Sequence, residues 1–224
     1  MGLEIELKAK ITPQQVEYLL KNSSFYNDQY LRKEQPIEFL IKKDLYYSFN
    51  GDTITSPRNK IRIRKETVLK YQDMSDLDLI GFFDFKKEFD SDDGDSNWYF
   101  TVKQKSMDVR GVEANQEFEN RIINEPESIQ QFLQFVNFKT YFTKEKRSIS
   151  FYVGRKRVEF HVEIVSVNGI GPYLEVEVTM NTEDVAIIKT ELVLFFERLL
   201  GIKEFDNRQW ETILKEDEDD RNKN

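Results

Sequence analysis

A chain of 224 residues with 39% hydrophobic and 13% aromatic side chains can bury a sizeable core, and barrels of this length commonly form one domain. The net charge of -8 argues against general affinity for nucleic acid or membrane, and the absence of cysteine excludes disulfides, thiolate zinc sites and iron–sulfur clusters. His161 is the single histidine, so any bound metal must be held mainly by oxygen, which points to magnesium, manganese or calcium.

The opening Glu4-Ile5-Glu6-Leu7-Lys8 alternates strictly and predicts a strand with an apolar face and a charged one. Charges at Glu4, Glu6, Lys8 and Lys10 interrupt the apolar run a signal peptide needs, and no segment is apolar for long enough to span a membrane. A cytoplasmic location is therefore expected. Thr12-Pro13 is a helix-start signature, and Val16, Leu19 and Leu20 give that helix an apolar stripe running to about Ser24. Phe25 to Lys43 reads as loop plus one strand. Asp44 to Phe49 predicts a strand ended by Asn50-Gly51-Asp52, and Lys60 to Arg64 another, with Lys60, Arg62 and Arg64 on one face. Residues 71–97 are rich in aspartate and are expected to form a mobile insertion, part of which folds back through Phe82, Phe83, Phe85 and Phe89.

Strand character resumes at Trp98 to Lys105, where Thr101, Lys103 and Lys105 oppose Phe100 and Val102. Glu117 to Ile122 alternates again. Pro126 opens a second helix, with Ile129, Phe132, Leu133 and Val136 at helical spacing. Lys144-Glu145-Lys146-Arg147 leads into a strand through Tyr152, Gly154-Arg155 marks a hairpin tip, and Val158 to Val165 returns with Glu159, His161 and Glu163 on one face. After the turn Asn168 to Pro172, Leu174 to Val178 repeats the opening pattern. A long helix is expected from Thr182 to Leu200, closed by Gly201, then a short helix from Asn207 to Leu214 and a disordered charged tail over 215–224.

The alternating strands each carry a charged face opposite an apolar one, and about four amphipathic helices need an apolar surface to lie on. Helices on the outside turn the charged faces inward, into the polar lumen of a curved or closed antiparallel sheet; about eight strands leave room for one small ligand. So many enclosed charges are tolerable only if they neutralise one another and something bound among them. Carboxylates imply a hard cation, and lysines and arginines a polyanion. Together they suit a metal-chelated polyphosphate.

Glu4-x-Glu6-x-Lys8 resembles the opening signature of the CYTH superfamily, the triphosphate tunnel metalloenzymes, which includes class IV adenylate cyclases and thiamine and inorganic triphosphatases. The ordered series Asp44-x-Tyr46-Tyr47, Arg62-x-Arg64, Lys103-x-Lys105, Glu117-x-Glu119, Lys144-x-Lys146, Glu163-x-Val165 and Gly169 to Glu177 is similar to that family's order across residues 1–214. The resemblance implies a single α+β domain: an eight-stranded antiparallel β-barrel with helices packed outside. It implies that Glu4, Glu6, Glu163, Glu175 and Glu177 serve Mg2+ or Mn2+. Lys8, Arg62, Arg64, Lys103, Lys105, Lys144 and Lys146 would bind the triphosphate, and Glu117 and Glu119 form a second acidic pair that orients water or holds a second metal. Arg147 is the alternative inward cation to its neighbouring lysines, because a one-residue shift flips the face. Gln209-Trp210 stands where the family often has a serine–tyrosine pair.

The expected activity is release of the terminal phosphate from tripolyphosphate, thiamine triphosphate or ATP, with Glu4, Glu6, Glu117 and Glu119 at the reacting centre. An adenylate cyclase yielding cyclic AMP and pyrophosphate, and a non-catalytic polyphosphate-binding module, are the alternatives. No nucleic-acid or membrane partner is expected, and the oligomeric state stays open, a homodimer included.

Overall fold

The computed structural model describes residues 2–21, 31–32, 36–49, 59–69, 82–86, 94–109, 112–123, 126–155, 158–180 and 185–223. The strands are β1 (Gly2–Lys10), β2 (Leu31–Arg32), β3 (Glu38–Phe49), β4 (Asn59–Leu69), β5 (Gly94–Val109), β6 (Val112–Ile122), β7 (Phe138–Arg155), β8 (Val158–Val167) and β9 (Ile170–Met180). Their order is β2-β7-β3-β4-β5-β6-β1-β9-β8, and antiparallel pairing of β7 with β8, from Lys146↔Val167 to Arg155↔Val158, closes eight of them into a barrel. The two residues of β2 pair with Val153 and Gly154 of β7, past Ser150 where its pairing with β3 ends.

The period of two sorts the side chains. Ile5, Leu7, Ile149, Phe151, Phe160, Val162, Ile164, Leu174 and Val176 are buried on the outer face, where they pack with Val16, Leu19 and Leu20 of α1 (Pro13–Lys21) and Ile188, Leu192, Phe195 and Phe196 of α3 (Val185–Leu200). A reciprocal box starts α1: the Gln15 amide donates to Thr12 Oγ1 (3.2 Å) and the Thr12 amide to Gln15 Oε1 (2.8 Å). Gly201, at φ 67°, ends α3 in the left-handed conformation a glycine adopts freely. Asn168 (φ 48°) and Gly169 (φ 85°) make the two-residue turn between β8 and β9.

Among the described residues, the opposite flank, β4 to β6, has thinner cover. There α2 (Pro126–Phe135) places Leu133 against Tyr47 and Ile63, while Phe132 and Phe135 of α2 stand 61% and 88% exposed.

Several elements outrun their sequence signals. β3 begins at Glu38 rather than Asp44 and β7 at Phe138 rather than Lys144, because the two pair along their whole shared length and the ladder continues where alternation is weak. β5 takes up residues 94–97 of the expected insertion. Within that insertion, Phe82 is buried edge-to-face on Phe39, with ring centroids 5.4 Å apart. The rest of it, 71–81 and 87–93, lies outside the described residues, as do the expected turn 50–52 and the helix limits 22–24 and 181–184. The last helix, α4 (Trp210–Arg221), corrects the reading of a helix ending at Leu214 before a disordered tail: Arg221 reaches back one turn to Asp217 (2.8 Å) and supports an acidic segment that is helical. Among the described residues, no helix is long and apolar enough to cross a membrane.

Candidate active site in the barrel lumen

The inward faces enclose a cavity of about 680 Å³, within the usual range for a small-molecule site. Of the residues singled out in the sequence, the structure brings Glu4, Glu6, Lys8, Arg62, Arg64, Lys103, Glu117, Glu119, Lys144, Lys146, Glu163, Glu175 and Glu177 to its wall. The side chain of Lys105 lies outside the described residues; its backbone borders a register shift between β5 and β6. Arg147 is on the outer face, donating to the carbonyls of Phe82 (3.2 Å) and Asp84 (2.8 Å) and lying over the Phe85 ring, so Lys144 and Lys146 are the inward cations of this run.

Carboxylate oxygens of Glu4, Glu6 and Glu177 lie within 4.8 Å of one another, which the pairing Glu6↔Glu177 between β1 and β9 makes possible. Burial raises the Glu4 carboxyl well above its usual range, and the Glu177 and Glu117 carboxylates add to this against the pull of Lys103. Lys103 Nζ donates to Glu4 Oε1 (2.8 Å) and lies 2.9 Å from Glu117 Oε1. Burial alone would raise Glu117 too, but Lys103 and a hydrogen bond from Glu4 hold it down at about 2. Four carboxyl groups, those of Glu4, Glu6, Glu117 and Glu177, meet Lys103 and His161 here, and a hard, oxygen-seeking divalent cation is the group this donor set fits.

Next to it the charges are matched. Lys146 Nζ donates to Glu163 Oε2 (2.6 Å) and Glu175 Oε2 (2.5 Å), and Lys42 Nζ to Glu163 Oε1 (2.7 Å), which Ser148 Oγ also reaches (2.9 Å). Burial opposes ionisation, yet Lys146 and Lys42 carry Glu163 well below the normal range, and Lys146 and Lys8 hold Glu175 at about 2. Glu163 and Glu175 therefore stand among cations and apart from the three-carboxylate cluster. Arg64 makes a two-pronged pair with Asp44 (2.7 and 3.0 Å), and Arg62 Nη2 donates to Glu119 Oε2 (3.0 Å) and Thr101 Oγ1 (3.0 Å). Arg62 Nε is buried without a partner among the described residues.

One mouth is filled by the start of α4. Trp210 Nε1 donates to Glu175 Oε1 (2.6 Å), Lys60 Nζ to Glu211 Oε1 (2.7 Å) and Gln209 Oε1 (2.8 Å), and Lys8 Nζ to the Arg208 carbonyl (2.6 Å). Lys8 is thus engaged by the C-terminal segment. Sequence reading missed Lys42, Ser150 and Glu211. Lys42 carried a signal, being two residues before Asp44 on the same face; Glu211 sits on a helix start, where no strand periodicity could flag it.

No family model matches the chain, and no curated protein sequence matches it. Solved structures do. PH1819 protein from Pyrococcus horikoshii OT3 has a TM-score of 0.65 at 19% identity, over 96% of this chain and 99% of that one. A proposed adenylate cyclase from Vibrio parahaemolyticus has a TM-score of 0.59 at 12% identity, over 95% and 98%. HpAC1 from Hippeastrum, a proposed adenylyl cyclase described as having a dominant triphosphatase activity, has 0.57 at 13%, over 96% and 96%. At these identities the likeness establishes the fold alone: an antiparallel barrel shared, nearly end to end, with these three proteins.

Proposed function

We propose that the chain belongs to the CYTH superfamily and is a divalent-metal-dependent triphosphatase. The observation that carries this reading is the sharing of Glu4 between two opposite environments: a cluster with Glu6 and Glu177 that suits a cation, and an ion pair with Lys103 that opens onto the arginines. A metal-chelated triphosphate presents both charges at that spacing, and the orphaned Arg62 Nε is a donor ready for one of its oxygens.

Glu4, Glu6 and Glu177 would hold the cation, which when bound neutralises phosphate oxygens and withdraws charge from the bond to be broken. The remaining work falls to the chain's own groups. Phosphoryl transfer needs little covalent help, so catalysis rests on fixed positive charge around the oxygens that gain electrons. Arg62, Arg64, Lys103 and Lys146 supply it by exchanging carboxylates for phosphate. Glu117, held at about 2, is too weak a base to remove a proton efficiently at neutral pH; its role is to aim Lys103 and a water.

Cyclisation of ATP would use the same lumen, and two of the similar structures are described as proposed cyclases. The triphosphatase activity described for HpAC1 favours hydrolysis. Incubation with Mg2+ or Mn2+ and tripolyphosphate, thiamine triphosphate or ATP tests the choice. Orthophosphate is expected; cyclic AMP with pyrophosphate overturns hydrolysis, and no product from any of the three overturns the enzyme reading.

A further inference from the structure

His161 has no task in this chemistry, yet its ring is fixed on three sides. Nδ1 is 2.7 Å from Glu177 Oε1, Nε2 is 2.7 Å from Ser150 Oγ, and the ring stacks on Tyr152 with centroids 4.8 Å apart. The register builds this arrangement, since His161 on β8 lies opposite Glu177 on β9 and opposite Tyr152 on β7. Glu177 in turn is one of the three clustered carboxylates. A free glutamate side chain has several rotatable bonds to immobilise when a cation arrives; one held by an imidazole has already lost that freedom.

We infer that His161 is a positioning residue: its Nδ1–H, donated to Glu177, aims that carboxylate at a divalent cation shared with Glu4 and Glu6, while Ser150 and Tyr152 hold the ring. The inference rests on the cation reading above. An ionised carboxylate only accepts, so Nδ1 must donate; the Ser150 hydroxyl can either donate to Nε2 or accept from it, and the arrangement works with the ring neutral or charged. Three strands thereby set the direction of one ligand oxygen. Groups that orient a metal ligand in this way change metal affinity by about 10- to 100-fold when removed.

The experiment is a titration of the full chain with Mn2+ in the absence of any phosphate, read by the electron paramagnetic resonance signal of free Mn2+. His161→Phe keeps the ring stack and loses the donor, and is expected to weaken binding by about 10- to 100-fold. His161→Asn places an amide N–H near Nδ1 and is expected to restore most of the affinity. In a Glu177→Gln background the phenylalanine change should do little more, because its effect runs through that carboxylate. Ser150→Ala, which removes the contact on the far side of the ring, should weaken binding in the same direction by less, and serves should the phenylalanine variant not fold. Wild-type affinity in both His161→Phe and Ser150→Ala, or an asparagine variant as weak as the phenylalanine one, overturns the inference alone. Wild-type protein that takes up no Mn2+ overturns the cation reading and the inference with it.

Discussion

Around Lys146 each charge meets its opposite at hydrogen-bond distance, whereas around Glu4 three carboxylates converge, with Lys103 on Glu4 and His161 on Glu177. Both sectors line one lumen and are drawn from the same kinds of residue; Glu163, Glu175 and Lys146 are buried, while in the cluster only Glu4 is and Glu6 and Glu177 are half-buried. Register sets the pairs. Glu163 and Glu175 face each other across β8 and β9 with Lys146 reaching both, while Glu6 and Glu177 face each other across β1 and β9. Matched charge is stable without a ligand and must exchange partners to take an anion; surplus charge of one sign is complete only when something of the other sign arrives.

The sharpest way to break the contrast is to empty the surplus. Glu4→Gln should lower metal-dependent tripolyphosphate hydrolysis by roughly a thousandfold, since several kcal/mol of charge stabilisation would be lost. Phosphate release measured at saturating Mn2+ checks this; hydrolysis within a few-fold of wild type would refute the role of the cluster.

Breaking the matched sector should instead strike stability. Lys146→Met strands Glu163 and Glu175 without their shared ammonium, a loss of about 3–5 kcal/mol in urea unfolding by the rule for halved buried pairs. Thermal midpoints within error of wild type would contradict it.

Acid should separate the sectors next. Glu117, Glu163 and Glu175 have folded-state values below their unfolded ones, so the stability they supply is complete above the unfolded value near 4.5 and drains away as pH falls through the folded values, about 2 for Glu117 and Glu175. Glu4 has the opposite sign: protonation in acid relieves its burial, and that contribution is lost as pH rises through its elevated value. Added Mg2+ should therefore stabilise the protein more at pH about 8 than at pH about 5, because protons compete with the cation for Glu4. Melting curves at the two pH values with and without Mg2+ decide it. Smallest of all is the outer control. Lys43 and Glu145 pair at 3.5 Å with Lys43 largely in water, and Lys43→Ala should change stability by less than about 0.5 kcal/mol.

The inward residues were legible because a strand's period of two survives any tertiary context: once Ile61 and Ile63 lie outside, Arg62 cannot. What alternation could not give was partnership. Nothing in the order of residues says that Lys146 reaches β8 and β9 together, or that the C-terminal helix brings Glu211 to Lys60, since these depend on stagger around a closed barrel. The expected helix ended at Leu214, and its continuation through 215–221 was missed because a run of acidic residues reads as self-repelling unless Arg221 is seen one turn from Asp217.

The unequal coats of the barrel have a dynamic consequence. Among the described residues, two helices seal β1, β7, β8 and β9, and one covers only part of β4 to β6. Amide protons of the thinly covered strands should exchange with deuterated water first, so Arg62, Lys103, Glu117 and Glu119 ride on the looser flank while Glu163, Glu175 and Glu177 ride on the rigid one. The groups expected to let go of one another for a phosphate chain belong mostly to the half that breathes.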